Sequence, residues 1–167
     1  MIFVTIGSMF PFDRLIRLMD QWAAAHPSEE ILSQIGDGTY IPEHTPYERM
    51  MTPSAFRQTM DRASLIVAHA GMGSVISAAE IAKPIVLLPR RADLREHTTD
   101  HQLHTAAWLR DRDGIFVADT DQDLPVMIDK ARAATLAHAE LSPYAPEAFI
   151  RNVRDLVAAS RSRRSSK

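Results

Sequence analysis

The residues best suited to chemistry in this chain lie in two polar segments, and each segment follows a short apolar run. The first segment is His69-Ala-Gly-Met-Gly-Ser74. Its glycines permit a tight turn and a close approach of the backbone to a ligand. The free amides of a helix that starts at about Ser74, together with the hydroxyl of this serine, could bind phosphate oxygens. Many strand–turn–helix connections bind nothing, so this segment needs support from elsewhere in the chain.

The glycine spacing excludes two common nucleotide-binding patterns. The dinucleotide fingerprint requires a third glycine, where this chain has Ile76. The P-loop pattern requires Gly-Lys-Ser/Thr, which does not follow the glycines here. The first segment therefore indicates an anion site of another type.

The second polar segment, residues 96–102, reads Glu-His-Thr-Thr-Asp-His-Gln. The side chains of Glu96, Asp100 and Gln102 could hydrogen-bond to a ligand rich in hydroxyl groups. Carboxylates and amides in a first helical turn also serve as caps, which is the alternative interpretation. A phosphate-binding turn beside a hydroxyl-binding segment is the arrangement that a sugar nucleotide requires.

Both segments are expected at one edge of a doubly wound α/β sheet. Apolar, β-branched runs alternate with amphipathic stretches, which is typical of parallel strands covered by helices. Parallel strands end at the same edge, so the loops that follow two of them can face each other across one cleft. We predict a single Rossmann-like domain. The predicted strands are 2–6, 31–35, 47–51, 65–68, 85–88 and 114–118. The predicted helices are 11–26, 54–61, 74–82, 96–111, a helix from 121 or 123 to 138, and 143–160.

Composition narrows the classes of function. The 167 residues fit one domain, expected over 1–160, with the basic residues 161–167 as a disordered tail. The absence of cysteine excludes zinc–thiolate sites, iron–sulfur clusters and a thiol nucleophile. A net charge of −2 argues against binding to nucleic acid. Residues 2–6 are interpreted as a strand and not as a signal peptide, and no apolar run approaches the ~20 residues that cross a bilayer.

Three motifs carry a resemblance to one family. They are Phe3-Val-Thr-Ile-Gly-Ser8 followed by Phe12-Asp13, then His69–Ser74, and then Pro89-Arg-Arg, Glu96-His97 and Asp100-His101-Gln102. Together they resemble the C-terminal, donor-binding domain of glycosyltransferase family 28, which is one half of a GT-B fold. The resemblance extends to stand-alone members. These include the cytosolic subunit of the two-part dolichol-linked N-acetylglucosaminyltransferase and the smaller subunit of bacterial two-component exopolysaccharide glucuronosyltransferases.

The resemblance implies a site for a UDP-sugar. Residues 71–74 would hold the diphosphate, while Asp100 and Gln102, with Glu96 or His97 nearby, would contact sugar hydroxyls. Many relatives carry an acidic residue that binds the ribose where this chain has Ser77. The expected substrate-binding set is Gly7, Ser8, His69, Ala70, Gly71, Met72, Gly73, Ser74, Ser77, Arg90, Glu96, His97, Asp100 and Gln102, and no catalytic residue is assigned.

The resemblance also implies a partner. A complete GT-B enzyme binds its acceptor on a second Rossmann domain, and only one is predicted here. We therefore expect a membrane-attached subunit that binds a lipid-pyrophosphate-linked sugar. The chain itself would be cytoplasmic, at the inner face of the membrane, and would transfer a glucuronosyl or N-acetylglucosaminyl group only with that partner. Alternatives are a non-catalytic nucleotide-sugar-binding or scaffold subunit, and self-association.

Histidines 97, 101 and 104 could share one helix face and hold a metal ion with the neighbouring carboxylates. We predict no metal and no cofactor beyond the UDP-sugar, because transfer in this family relies on helix dipoles and basic side chains. Arg90, Arg91 and Arg95 could supply part of that positive charge, or they could be solvated loop residues.

Overall fold

The computed structural model describes residues 1–134, 147 and 150–155. Within these residues the strands are β1 (Ile2–Thr5), β2 (Ile31–Gln34), β3 (Tyr47–Glu48), β4 (Leu65–His69), β5 (Ile85–Leu88) and β6 (Ile115–Val117). The helices are α1 (Asp13–Ala25), α2 (Pro53–Arg62), α3 (Met72–Glu80), α4 (His101–Leu109) and α5 (Asp123–Ala133).

The strands form one sheet in the order β3-β2-β1-β4-β5-β6, and every neighbouring pair is parallel. The chain winds outward in one direction from β1 and in the other direction from β4. The connections that leave these two adjacent strands therefore diverge, and a crevice forms at the carboxyl edge of the sheet. The predicted doubly wound α/β class is confirmed.

Helices cover both faces of the sheet, which explains why the strands are continuous apolar runs. All four residues of β1 are buried, with Ile2 and Val4 in one core layer and Phe3 in the other. The first layer contains the apolar faces of α1 and α5, and the second contains those of α2, α3 and α4. Because both faces of the sheet are covered, the loops at its carboxyl edge are left to form a site.

Helix α2 begins earlier than predicted. Its N-cap is Thr52, whose hydroxyl accepts a hydrogen bond from the backbone N–H of Ala55 at 3.2 Å. Pro53 occupies the first helical position, where a missing N–H costs nothing. The helix was predicted to begin at residue 54, one residue too late, because Pro53 belongs to its first turn and does not precede it.

Helix α4 was predicted from Glu96 but begins only at His101. The preceding residues form a closed turn, in which the N–H of Glu96 donates to the carbonyl of Arg91 at 3.1 Å. Arg95 has a φ of +58°, in the left-handed region. Residues 96–100 then bend without forming a helix, and the carboxylates of Glu96 and Asp100 accept the N–H groups of Arg91 and Ala92. The helix therefore starts only after this segment.

Helix α5 begins at Asp123, the later of the two predicted starts, and residues beyond 134 of its predicted span lie outside the described part. Of the helix predicted over 143–160, residues 147 and 150–155 are helical, and the others lie outside the described part. The predicted tail, 161–167, also lies outside it. Among the described residues, no helix has the length and apolar character needed to cross a membrane.

Candidate functional site

A cleft of about 720 Å³ opens at the carboxyl edge of the sheet, where the connections of β1 and β4 diverge. It has a polar half beside β1, β4 and β5 and a largely apolar half beside α2, where Arg57 and Asp61 also line it. Most of the predicted site residues line it, namely Gly7, Ser8, His69, Gly71, Gly73, Ser74, Ser77, Arg90, His97 and Gln102. The structure therefore brings the two polar segments together, as the sequence predicts.

The glycine turn delivers the N-terminus of α3 to the cleft. Gly71 is the N-cap residue and no side chain caps the helix. A Cβ atom at Gly73 would have no other heavy atom within 4 Å, so the space beside this residue is open. Free amides and the positive end of the helix dipole favour an anion at this position.

His69 packs between two glycines. A Cβ atom at Gly71 would lie 2.2 Å from Nε2 of His69, and one at Gly7 would lie 2.6 Å from its Cε1. Gly7 also has a φ of +75°, which favours glycine. These two glycines thus make room for the imidazole.

The imidazole of His69 is neutral at neutral pH. Burial, followed by the positive charge of Arg90, lowers the pKa of His69 to about 4. Its Nδ1 is buried and has no hydrogen-bond partner among the described residues. His69 therefore lines the cleft as an uncharged group.

Arg90 supplies a buried positive charge at the end of β5. Its side chain is only 2% exposed, and Nη2 donates hydrogen bonds to the carbonyls of Ile6 and Phe10 at 2.9 and 2.5 Å. Burial lowers the pKa of Arg90 to about 10, which leaves the guanidinium charged at neutral pH. Its backbone N–H donates to Oε1 of Gln102 at 3.1 Å, which orients the amide of this buried, cleft-lining glutamine.

The rings of two histidines and a phenylalanine contact one another edge-on at the polar end of the cleft. The rings of His97 and His101 meet edge-on with centroids 4.3 Å apart, and Phe10 meets His97 at 5.1 Å. Burial, then His101 and then Arg90 lower the pKa of His97. The N–H of Thr99 donates to Nδ1 of His97 at 3.3 Å, so the neutral ring carries its proton on Nε2 and can act as a donor there.

No group of three or more His, Asp or Glu side chains in the described part of the chain could hold a metal ion. The alternative of a metal site on His97, His101 and His104 therefore has no support in the structure.

Four predicted residues do not line the cleft. Both carboxylate oxygens of Glu96 are engaged by Arg14, at 2.6 and 2.8 Å. The carboxylate of Asp100 accepts the N–H of Ala92 at 2.9 Å. Ala70 is buried in the core and Met72 is exposed. Glu96 and Asp100 thus bond to the loop in this structure, and their contact with a sugar stays a prediction.

The apolar half of the cleft was not predicted. Its lining includes Met50, Met51, Phe56, Met60 and Ile81. The sequence signal for it is a methionine pair at the end of a short predicted strand, and such a pair matches no binding motif. This wall gives the cleft a surface suited to a flat, weakly polar group.

Gln34 was also missed, although it lines the cleft. Its Oε1 accepts a hydrogen bond from the Thr5 hydroxyl at 2.7 Å, and its Nε2 donates to the carbonyls of Gly7 and Arg49 at 3.0 and 3.2 Å. It thereby ties the polar floor of the cleft to the segment that leads into the apolar wall. A lone glutamine at a strand end gives no sequence signal for this role.

The parallel sheet, the cleft at its switch point and the open helix N-terminus define a Rossmann-like domain of the nucleotide-binding class. Residues 1–149 match the model of the glycosyltransferase family 28 C-terminal domain, and the chain belongs to this family.

The chain is 31% identical over 139 residues to "UDP-N-acetylglucosamine transferase subunit ALG13" of Yarrowia lipolytica. This match covers 72% of the chain and 66% of the relative, so the chain spans less than two thirds of that protein. The NMR structure of ALG13 superimposes with a TM-score of 0.59 at 14% identity, covering 91% of this chain and 93% of that one. The glycotransferase of kitacinnamycin gives a TM-score of 0.56 at 17% identity, covering 80% of this chain and 35% of the other. These two structural likenesses concern the fold.

Proposed function

We propose that this chain binds a UDP-sugar in the cleft and serves as the donor-binding subunit of a glycosyltransferase. One observation carries the proposal: the uncapped N-terminus of α3, with Gly71, Gly73 and Ser74, opens into the cleft of a family 28 domain. Backbone amides at a helix start bind diphosphates well, because unpaired donors and the helix dipole act on the same group.

The proposed ligand lies across both halves of the cleft. With the diphosphate at Gly73 and Ser74, the sugar would face the polar end, where Gln102 and His97 offer donors. The base would face the apolar wall that includes Met51 and Phe56, and the ribose would lie near Ser77. This orientation matches each part of the ligand with side chains of similar polarity.

The proposed reaction transfers a hexosyl group. The acceptor hydroxyl oxygen forms a bond to the anomeric carbon while the bond from that carbon to the β-phosphate oxygen breaks, and UDP departs. The negative charge that develops on the β-phosphate would be stabilised by the α3 N-terminus and by the guanidinium of Arg90. We place the base that accepts the proton on the partner and assign no catalytic residue to this chain.

A partner subunit is proposed because the Yarrowia relative is called a subunit of a transferase. The partner would bind a lipid-pyrophosphate-linked sugar and hold this chain at the inner face of the membrane. Glucuronosyl and N-acetylglucosaminyl transfer are both retained as candidates, and only the relative's name favours the second.

Calorimetry of the wild-type chain with UDP, UDP-glucose, UDP-N-acetylglucosamine and UDP-glucuronate tests the proposal. Gly73→Asp places a carboxylate in the open space beside the proposed diphosphate and should abolish binding. Gln122→Asp is the matched control, because it adds the same charge at the N-cap of α5, away from the cleft. A folded wild-type chain that binds none of these nucleotides would favour the scaffold alternative.

Co-expression with a candidate membrane subunit, sought among the neighbouring genes, tests the catalytic half of the proposal. We expect transfer of labelled sugar to a lipid acceptor with both subunits and little or none with either alone. Full activity of this chain alone would contradict the two-subunit proposal.

A further inference from the structure

Arg14, in the first turn of α1, joins three segments behind the polar end of the cleft. Its Nε and Nη2 donate to the carboxylate of Glu96 at 2.6 and 2.8 Å. Its Nη1 donates to Asp121 at 2.6 Å, and Nη2 also donates to the carbonyl of Pro89 at 2.9 Å. The side chains of Arg14 and Glu96 are mostly buried, at 15% and 10% exposure, so this forked ion pair is shielded from solvent.

Glu96 passes this constraint to the turn of residues 91–96. Its carboxylate accepts the backbone N–H of Arg91 at 2.9 Å in addition to the bonds from Arg14. The turn contains Arg95 in a left-handed conformation, which is unfavourable for a residue with a side chain. Such a conformation persists only where surrounding contacts hold it, and the bonds made by Arg14 and Glu96 are of that kind.

His97 directly follows this turn and lines the cleft. Its Nδ1 accepts the N–H of Thr99, so Nε2 is the donor available to a ligand. The edge-on contacts with Phe10 and His101 restrict rotation of the His97 ring. The ring therefore cannot compensate for a displacement of the turn. The position of the His97 donor therefore depends on the turn and, through Glu96, on Arg14.

We propose that Arg14 is a positioning residue for the donor sugar, acting through Glu96 and the 91–96 turn on His97. The inference rests on the proposed function and deepens it. It names the Nε2 donor of His97 as the contact that makes a UDP-sugar bind more tightly than UDP. UDP alone reaches the amides of α3 and does not need His97. The sugar lies at the polar end and gains from a fixed donor there.

Calorimetric titrations with UDP and with the best-binding UDP-sugar measure this effect as the ratio of the two dissociation constants. In Arg14→Gln, affinity for UDP should stay within about twofold, while the preference for the UDP-sugar falls about five- to tenfold, the size expected for one lost hydrogen bond. His97→Gln should cause the same loss, and the double variant should lose no more than either single variant. Additive losses, or an unchanged preference in Arg14→Gln, would overturn the proposal.

Arg110→Gln is the matched control. It removes a forked ion pair of similar geometry, from Arg110 to Asp119 at 2.6 and 2.7 Å, which is exposed and does not line the cleft. The control should lower neither affinity. Should Arg14→Gln fail to fold, Arg14→Lys and Asp121→Asn replace it: lysine cannot form the fork and should lose preference, whereas Asp121→Asn keeps the bonds to Glu96 and should retain it.

An imidazole NMR titration keeps the test independent of ligand binding. The ring signals of His97, assigned with His97→Gln, should titrate at a higher pH in Arg14→Gln than in the wild type, because the ring is released and Glu96 loses its cationic partner. The Arg110→Gln spectrum should match the wild type. Unchanged His97 signals in Arg14→Gln, with nucleotide binding intact, would overturn the positioning role alone. Absence of nucleotide binding to the wild type would refute the proposed function and, with it, the role of Arg14 toward the sugar.

Discussion

Replacing Gly73 with alanine should stabilise the fold and weaken nucleotide binding at the same time. Gly73 lies in the first turn of α3 and has no positive φ. A methyl group there meets no other heavy atom within 4 Å, so the folded chain can accept it without strain. The same open space is where the proposed diphosphate approaches the backbone.

The stabilisation follows from backbone entropy. Alanine in place of glycine in a helix is worth about 0.5–1 kcal/mol where no contact is disturbed. For a chain of 167 residues, this corresponds to a rise in Tm of about 1–4 °C. Binding changes in the opposite direction, because a methyl group beside the diphosphate lengthens the hydrogen bonds from the α3 amides. Loss of one charge-assisted hydrogen bond, about 1.5–3 kcal/mol, weakens UDP binding by about 10- to 100-fold.

Thermal unfolding and calorimetry with UDP, performed on the same preparations, measure both effects. Ser54→Ala is a suitable control, since it raises helix propensity at an exposed position of α2 that does not line the cleft. It should leave UDP affinity unchanged. A Gly73→Ala variant that is stabilised and still binds UDP as tightly as the wild type would refute the placement of the diphosphate.

Three further predictions concern the buried surroundings of Gly71, His69 and Asp20. Gly71→Ala, unlike Gly73→Ala, should destabilise by about 1–3 kcal/mol in denaturant unfolding, because its Cβ would lie 2.2 Å from His69; a neutral effect would contradict the packing described here. The folded pKa of His69, about 4, lies below its ordinary value of 6.5, so the unfolded state binds more protons between these pH values and stability should fall as pH decreases from 6.5 to 4. His69→Gln should flatten this part of the stability–pH profile, and an equally steep profile would exclude His69 as its source. Asp20→Asn should cost about 2–3 kcal/mol, since the Asp20 carboxylate is 2% exposed and accepts bonds from Tyr40 and two backbone N–H groups; a Tm equal to that of the wild type would contradict it.

The stability that Asp20 contributes also depends on pH, but hydrogen bonds lower the pKa of Asp20, whereas burial lowers the pKa of His69. Burial alone would raise the pKa of Asp20, but the hydrogen bonds from Glu43, Tyr40 and His44 outweigh it and lower the pKa. The contribution is therefore complete above the unfolded pKa of about 3.9 and is lost as pH falls through the lower folded value. Asp20→Asn should remove this acid sensitivity, as measured by urea unfolding at pH 7 and at pH 3.

The fold class could be predicted because local pattern and topology agree. Ile2–Thr5 and Ile85–Leu88 are continuous apolar runs, which only a sheet covered on both faces buries completely. Their spacing along the chain leaves room for a helix between strands, and parallel pairing then places every strand end at one edge. The glycine turn after β4 was correctly placed for the same reason.

The loop before α4 could not be predicted in the same way. Glu96 carries the residue type of a hydroxyl-binding group, but its partner, Arg14, is 82 positions away in the sequence. Arg95 adopts a left-handed conformation without being glycine, so no local signal marks the end of the turn. Long-range ion pairing decided the role of Glu96, and a single sequence does not contain that information.

The apolar half of the cleft escaped sequence analysis for a related reason. Met50 and Phe56 come from a loop and a helix whose periodicity indicates only ordinary packing, and they meet Ile81 through the fold. Gln34 connects the two halves through hydrogen bonds to Gly7 and Arg49 that depend on sheet register. Such convergence becomes visible only once the strands are placed.

An NMR titration of the isotope-labelled wild-type chain with UDP tests the central claim most directly. If UDP binds at the N-terminus of α3, the backbone amide signals of residues 71–74 should shift most, with smaller shifts at Gly7 and Ser8 and at the side-chain amide of Gln102. The Gly73→Asp variant should show none of these shifts while retaining a folded spectrum. No shifts at saturating UDP, or shifts confined to residues outside the cleft, would contradict the account.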